Sequence, residues 1–398
     1  MISSNLLLLI VAAIILLGFV GEIAFRAKRI PDMLFLLLIG ILLHYSRIIP
    51  LRYFSTLESF LGFFGIVALT LIVFGGVLRL DIVKYGHSVT KGIVFASMDL
   101  IFVMAAATPF FYYFMHISFI ISLLLAAILG ETSSTFIIPL LSRIKIDEDV
   151  RHTIEIEAIF TSVLNIIAVL LILNIIGHQS NFLGIASYLF ASISEGIVLG
   201  GSAGVIWLII IKQASVPHYY MATVAVLLAL WAISDYLNAS AILSAFIFSV
   251  IIANSLPLSK IIKVSGVVDA EKLTLFNQEI SFFVLTFFYV YIGLFVNVLD
   301  FSALMYALFI VAVLLVARLV QTYSVDAATK WFKKDKPVVT SFFQRGPTVI
   351  VLLGVLLTVD PAVFNAYANT IFYTVILTIL YASILFTSMS KGYEVKKE

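Results

Sequence analysis

Apolar residues run along this chain in stretches of roughly 17 to 28, separated by short polar connections. A bilayer core needs about 20 apolar residues per helix. On that ruler spans fall near 4–25, 32–48, 60–78, 92–115, 118–142, 153–176, 184–211, 218–236, 239–255, 275–298, 302–323, 340–358 and 365–388. The lengths predict helices, because membrane barrel strands need only about ten alternating residues. The division between the eighth and ninth spans is soft, since only Asn238 separates them clearly. The first stretch is too long for a signal-peptide core and has no basic leader, so it reads as a retained span. The pattern thus predicts an all-α polytopic membrane protein with about 13 transmembrane helices, one transmembrane domain over 1–391 and a short tail over 392–398.

Composition narrows the class. The chain is 62% apolar and 12% charged, with a mean hydropathy of +1.16, against a usual apolar share of roughly 45–50%. No soluble domain of 398 residues has the interior to hide so many apolar side chains. The longest connection, roughly 256–274, is too short to fold alone. A formal net charge of +2 spread over short loops gives no nucleic-acid surface. The absence of cysteine excludes disulfides, thiolate metal sites and cysteine nucleophiles. Six scattered histidines assemble neither a metal cluster nor a catalytic triad. The expectation is a cell-membrane transporter of something small, with no enzymatic activity and no cofactor.

Lysine and arginine set the orientation. Connections after odd-numbered spans carry 3, 3, 3, 1, 3, 4 and 3 of them, a total of 20, while those after even-numbered spans carry only Arg47 and Arg52. The remaining two, Arg318 and Arg345, fall inside spans. This bias predicts an N-terminus outside and a C-terminus in the cytoplasm. It also tests the span number, because a missed helix would scramble the alternation downstream.

Charges at membrane depth cost several kcal/mol and default to functional or paired roles. Glu131 lies near the middle of span five and opens the run Glu131-Thr132-Ser133-Ser134-Thr135, with Gly130 before it and Pro139 after. Such a run predicts a helix that loosens at the midplane and lines a cavity; a small-residue packing face is the alternative. In span six Glu157, Thr161 and Asn165 recur every four residues and share one face, with Ser162 beside it. Glu157 and Arg318 each lie about five residues from a cytoplasmic helix end. Equal depth predicts an ion pair, structural first, because either partner alone would be a costly buried charge. Span twelve carries Gln344-Arg345-Gly346-Pro347-Thr348, a second interrupted helix with a cation. Spans five and twelve cross in opposite directions, as two broken helices do in an inverted-repeat transporter; an ordinary proline kink is the alternative. Asp99 and Glu195 stand without a sequence neighbour to pair with, each either a relay or a satisfied interior acid.

Together these residues resemble the monovalent cation/proton antiporter superfamily along essentially the whole chain. The resemblance is carried by Leu129 to Thr135 with Pro139, and by Glu155-Ile156-Glu157-Ala158-Ile159-Phe160-Thr161-Ser162. Ser240-Ala241-Ile242 leading to Ala253-Asn254, Phe287 to Leu294, Ala317-Arg318-Leu319 and Arg345-Gly346-Pro347 complete it. It implies a dimerisation module beside a core module, homodimers, and exchange of Na⁺ or K⁺ against H⁺ by alternating access. Thr132 matches the family's span-five threonine, Ser133 the acid that follows it, Thr161 the first member of the span-six pair and Ser162 its aspartate. Glu157 and Arg318 match the family's ion pair, and Arg345 its span-twelve arginine.

The chain departs from that pattern where the chemistry lies. Neither Ser162 nor Ser133 can hold a cation as a charge or carry a proton at neutral pH. Exchange by competition needs one group that either ion can occupy, and the sequence offers Glu131, immediately before the matched threonine. Hydroxyls of Thr132, Ser133, Ser134, Thr161 and Ser162, with the amide of Asn165, would complete an oxygen shell suited to a hard cation. The competing expectations are an uncoupled uniporter or channel-like pathway, a carrier of another small solute, or a membrane sensor on the same scaffold.

Overall fold

Every stretch marked by the apolar rhythm contains helix, and no β-strand occurs among the described residues. The computed structural model describes residues 9, 12–21, 23, 32–46, 54–79, 85–142, 144–177, 182–214, 218–256, 258, 269–297, 299–390 and 393. The helices are α1 (Ala12–Gly21), α2 (Asp32–Ser46), α3 (Phe54–Leu78), α4 (His87–Pro109), α5 (Phe119–Ile128) and α6 (Ser134–Leu141). They continue with α7 (Glu148–Gly177), α8 (Phe182–Ala214), α9 (Tyr219–Tyr236), α10 (Ala241–Ala253) and α11 (Ala270–Gly293). The last are α12 (Phe301–Thr329), α13 (Lys336–Thr340), α14 (Pro347–Val359) and α15 (Pro361–Met389). Seven described helices are long and apolar enough to cross a membrane, and six further apolar ones are shorter.

Local chemistry sets several helix starts. Side chains of Ser240, Asp269, Asp300 and Asp360 accept the amides of Leu243, Lys272, Ala303 and Val363, satisfying donors that a helix N-terminus leaves unpaired. Pro347 and Pro361 open α14 and α15, where a missing N–H costs nothing. Large apolar side chains stay on the outer surface, with Phe190 76% and Ile384 65% exposed, as lipid-facing positions require.

The helices sort into two bundles by what they pack against. One gathers α4 to α7 with α12 to α15, the contacts of α4 with α7 and of α12 with α15 being the most extensive. The other gathers α2, α3 and α8 to α11. Small residues let backbones meet, the general means of helix association in lipid. A Cβ on Gly40 of α2 would come within 2.8 Å of the Gly293 Cα of α11, and one on Gly92 of α4 within 2.9 Å of the Thr153 carbonyl of α7. The bundles face each other mainly where α3 and α11 meet α14, and where α10 meets α7.

Candidate functional site

Two interrupted helices meet in the first bundle. The α5 helix stops at Ile128 and α6 begins at Ser134; α13 stops at Thr340 and α14 begins at Pro347. The backbones between them touch, the Ser133 amide donating to the Gln344 carbonyl at 2.9 Å. The approach is possible because residue 346 is glycine, since a Cβ there would lie 2.5 Å from the Ser133 Cβ. Breaking a helix at this depth exposes carbonyls at the end of α5 and amides at the start of α14, and each set finds a partner of opposite polarity.

The α5 end is met by donors. Asn165 Nδ2 donates to the carbonyls of Ala127 and Ile128, at 2.5 and 2.9 Å. Arg345 Nη1 donates to the Glu131 carbonyl and, at 3.4 Å, to Thr132 Oγ1. The Thr161 hydroxyl closes a two-way link to Thr132, accepting from its amide at 3.1 Å and donating to its carbonyl at 3.2 Å.

The α14 start is met by the Glu131 carboxylate. Oε2 accepts from the amides of Gly346 and Val349, both at 3.3 Å. Oε1 accepts from the hydroxyls of Thr348 at 2.6 Å and Ser162 at 3.0 Å. A carboxylate on two amides at a helix N-terminus uses the geometry by which such termini hold anions. Glu131 is only 2% exposed, and it lines a cavity of about 150 Å³ with Ser134, Thr135, Ser162, Pro347 and Thr348. Ser133 is buried beside it, its hydroxyl without a hydrogen-bond partner among the described residues.

Behind Glu131 lies a buried charge network. Arg318 reaches both carboxylate oxygens of Glu157 with Nη1 and Nη2, the Nη2 bond measuring 2.9 Å. Nη1 also reaches Asp99 at 3.3 Å and Gln321 at 3.1 Å, while Nε donates to the Val339 carbonyl. The guanidinium lies 4.8 Å from the centre of the Phe95 ring. Asp99 also accepts from Thr132 Oγ1 at 2.9 Å and faces Arg345 at 3.6 Å. Three carboxylates (Asp99, Glu131, Glu157) therefore share this network with two guanidiniums (Arg318, Arg345), one more acid than base. Asp99 and Glu157 are ion-paired, whereas Glu131 has no basic side chain within ion-pair distance among the described residues.

Sequence spacing missed Asp99, which lacks a partner nearby in the chain yet links both arginines and Thr132. Gln321, one turn beyond Arg318, was a readable signal; it bridges Arg318 to the Phe95 carbonyl at 2.8 Å. Glu195 stands apart from this cluster, on an exposed face of α8.

Comparison with known proteins points the same way. The profile of the family described as sodium/hydrogen exchanger, transmembrane, matches residues 9–392. A relative from Methanocaldococcus jannaschii, named as a probable Na⁺/H⁺ antiporter 2, is 27% identical over 282 residues. That match covers 68% of this chain and 65% of the relative, so the chain spans just under two thirds of the length of the curated relative it matches. The solved structure of the sodium proton antiporter MjNhaP1 from the same organism, at pH 8, superposes with a TM-score of 0.80 at 20% identity over 96% of this chain and 97% of that one. An electron-microscopy structure of MjNhaP1 gives a TM-score of 0.75 at 21% identity. With the profile spanning nearly its whole length and the fold shared from end to end, this polytopic membrane protein belongs to the sodium/hydrogen exchanger transmembrane family.

Proposed function

We propose that the chain exchanges Na⁺ for protons by alternating access, with the Glu131 carboxylate as the site for which the two ions compete. One observation carries the reading. Of the buried acids in the network, Glu131 alone has no basic partner among the described residues, and it faces the cavity. An uncompensated buried charge is costly, and either a proton or a monovalent cation cancels it. The two ions exclude each other there because both need the same lone pairs. The names of the relative and of the superposed structure support the choice of exchange and of Na⁺; K⁺ is a second candidate.

The surroundings fit both loaded states. With Glu131 ionised, four donors hold the carboxylate oxygens. When a cation arrives, the hydroxyls of Ser162 and Thr348 can turn their protons away and present lone pairs. For Ser162 the alternative acceptor is already in place, the Ala158 carbonyl at 3.5 Å. Thr132, Ser133, Ser134 and Thr161 shape and line the break, and Asn165 holds the α5 end. In this reading Glu157, Arg318 and Asp99 brace the crossing, and Arg345 neutralises the carbonyl end of α5.

The same reading places the N-terminus outside, the C-terminus in the cytoplasm, and 1–391 in a single transport domain. Homodimerisation belongs to it as well: a mid-helix carboxylate such as Glu195, exposed on α8, is costly against lipid, and a second copy would cover it.

The test is exchange in proteoliposomes carrying a pH dye. After acid loading, external Na⁺ should alkalinise the lumen, and Glu131→Gln should abolish the response. Wild-type exchange by Glu131→Gln would overturn the shared site. A wild-type protein that moves Na⁺ without proton flux would instead be an uncoupled pathway.

A further inference from the structure

The α11 helix turns a polar face toward the cavity that holds Glu131, and the site described above does not use it. Asn277 and Ser281, four residues apart and therefore neighbours on one helix face, line that cavity with Glu131, Ser162 and Thr348. Asn277 is 3% exposed. Its Nδ2 donates to the Leu71 carbonyl of α3 at 3.3 Å, seated against Gly75, where any Cβ would collide with the amide nitrogen. A backbone carbonyl can only accept, so this bond fixes the amide with its nitrogen toward α3 and leaves Oδ1 as the free acceptor. Neither Asn277 Oδ1 nor Ser281 Oγ has a hydrogen-bond partner among the described residues. Leaving a buried acceptor unmet costs about 1–3 kcal/mol, and here two sit one turn apart beside a carboxylate.

Neutral amide and hydroxyl oxygens are ligands for a hard cation. They hold it less firmly than a carboxylate does, which suits a stopping point rather than a destination. A wider cavity of about 730 Å³ adjoins this one, sharing Thr135, Gln278, Ser281 and Pro347, and adds the exposed carboxylate of Glu279. Oxygen donors therefore run from the open cavity inward as Glu279, Ser281, Asn277 and Glu131.

We propose that Asn277 Oδ1 and Ser281 Oγ form a transit subsite on the α11 wall, which takes the monovalent cation partly dehydrated and determines which cation reaches Glu131. The subsite rests on the cation-exchange reading but adds its own element. The α11 helix belongs to the second bundle and Glu131 to the first, so the cation changes bodies as it binds.

The experiment uses the full chain with Ser281→Ala and Asn277→Leu. Cation binding is read by Na⁺-dependent thermal stabilisation of the solubilised protein, and exchange by Na⁺, K⁺ and Li⁺ titration in proteoliposomes. Each variant should raise half-saturating Na⁺ about tenfold, the effect of one lost ligand, and change the order of preference among the three cations. A purely structural role would lower thermal stability without cation and leave half-saturation and preference unchanged. Wild-type half-saturation and preference in both variants would overturn the subsite while leaving exchange at Glu131 standing. Sodium binding that depends on Asn277 in a protein without proton exchange would support the subsite and overturn the exchange reading. No sodium binding by the wild-type protein would overturn both.

Discussion

Arg318 shows how a single buried residue can hold several elements at once. It bonds Glu157 and Asp99 by ion pairs, Gln321 by its side chain and Val339 by its carbonyl, at 1% exposure. Removing one partner of such a network strands the others, so Arg318→Met should destabilise the solubilised protein by about 3–5 kcal/mol. The added change Glu157→Gln should recover part of that loss, read from thermal unfolding midpoints of the single and double variants. At the other contact of the crossing, Gly346→Ala places a methyl group on the Ser133 side chain. Its expected outcome is a folded protein with strongly reduced exchange, measured by the proteoliposome dye assay. The proximity of Glu157 to Arg318 was legible from equal depth in two helices. The place of Asp99 was not, because its hydrogen-bond partners Thr132 and Arg318 lie 33 and 219 residues away along the chain.

At the scale of elements, interruption is what makes the site. Pro347 and the polar run after Gly130 mark where the two helices break, since a backbone freed from its ladder must find partners elsewhere. Which partners it finds was not readable: Asn165 aligns with Glu157 and Thr161 on one helix face, yet its amide nitrogen is held by the carbonyls of Ala127 and Ile128, while its Oδ1 has no hydrogen-bond partner among the described residues. Helix caps give a prediction at this scale. Asp300 opens α12, and its carboxyl is held below the usual aspartate range, first by the Ser302 hydroxyl and then by the Ala303 amide. A depressed folded value means that the stabilisation is present above the ordinary aspartate pKa and disappears as pH falls through the lower folded value. Asp300→Ala should therefore cost about 1 kcal/mol near neutrality, and the difference from wild type should shrink on acidification below about pH 4. Unfolding midpoints at a series of pH values would check it.

For the whole molecule the question is how two bundles joined by short connections would pass an ion between them, as proposed above. In the proposed alternating-access reading, the α3 and α11 faces shift against α14. Gly65 of α3 and Val355 of α14 meet at this boundary, a Cβ on Gly65 lying 3.0 Å from Val355 Cγ2. The chain has no cysteine, so the pair Gly65→Cys with Val355→Cys would be the only thiols and lies close enough to bridge. Oxidation should stop exchange and reduction restore it; undiminished exchange in the bridged protein would mean that this boundary does not move. The sequence by itself determined the class, the helical segments, the two points of interruption and the presence of unpaired acids in the interior, because in lipid every apolar stretch must be helical and every buried charge must have a reason. Only the tertiary structure decided which acid of the buried network stands without a cation. That outcome depends on Asp99 occupying both arginines, and on Glu131 being turned onto the amides at the start of α14 rather than onto Arg345. Burial and pairing between distant segments follow from how whole helices pack, and one-dimensional spacing carries no record of that.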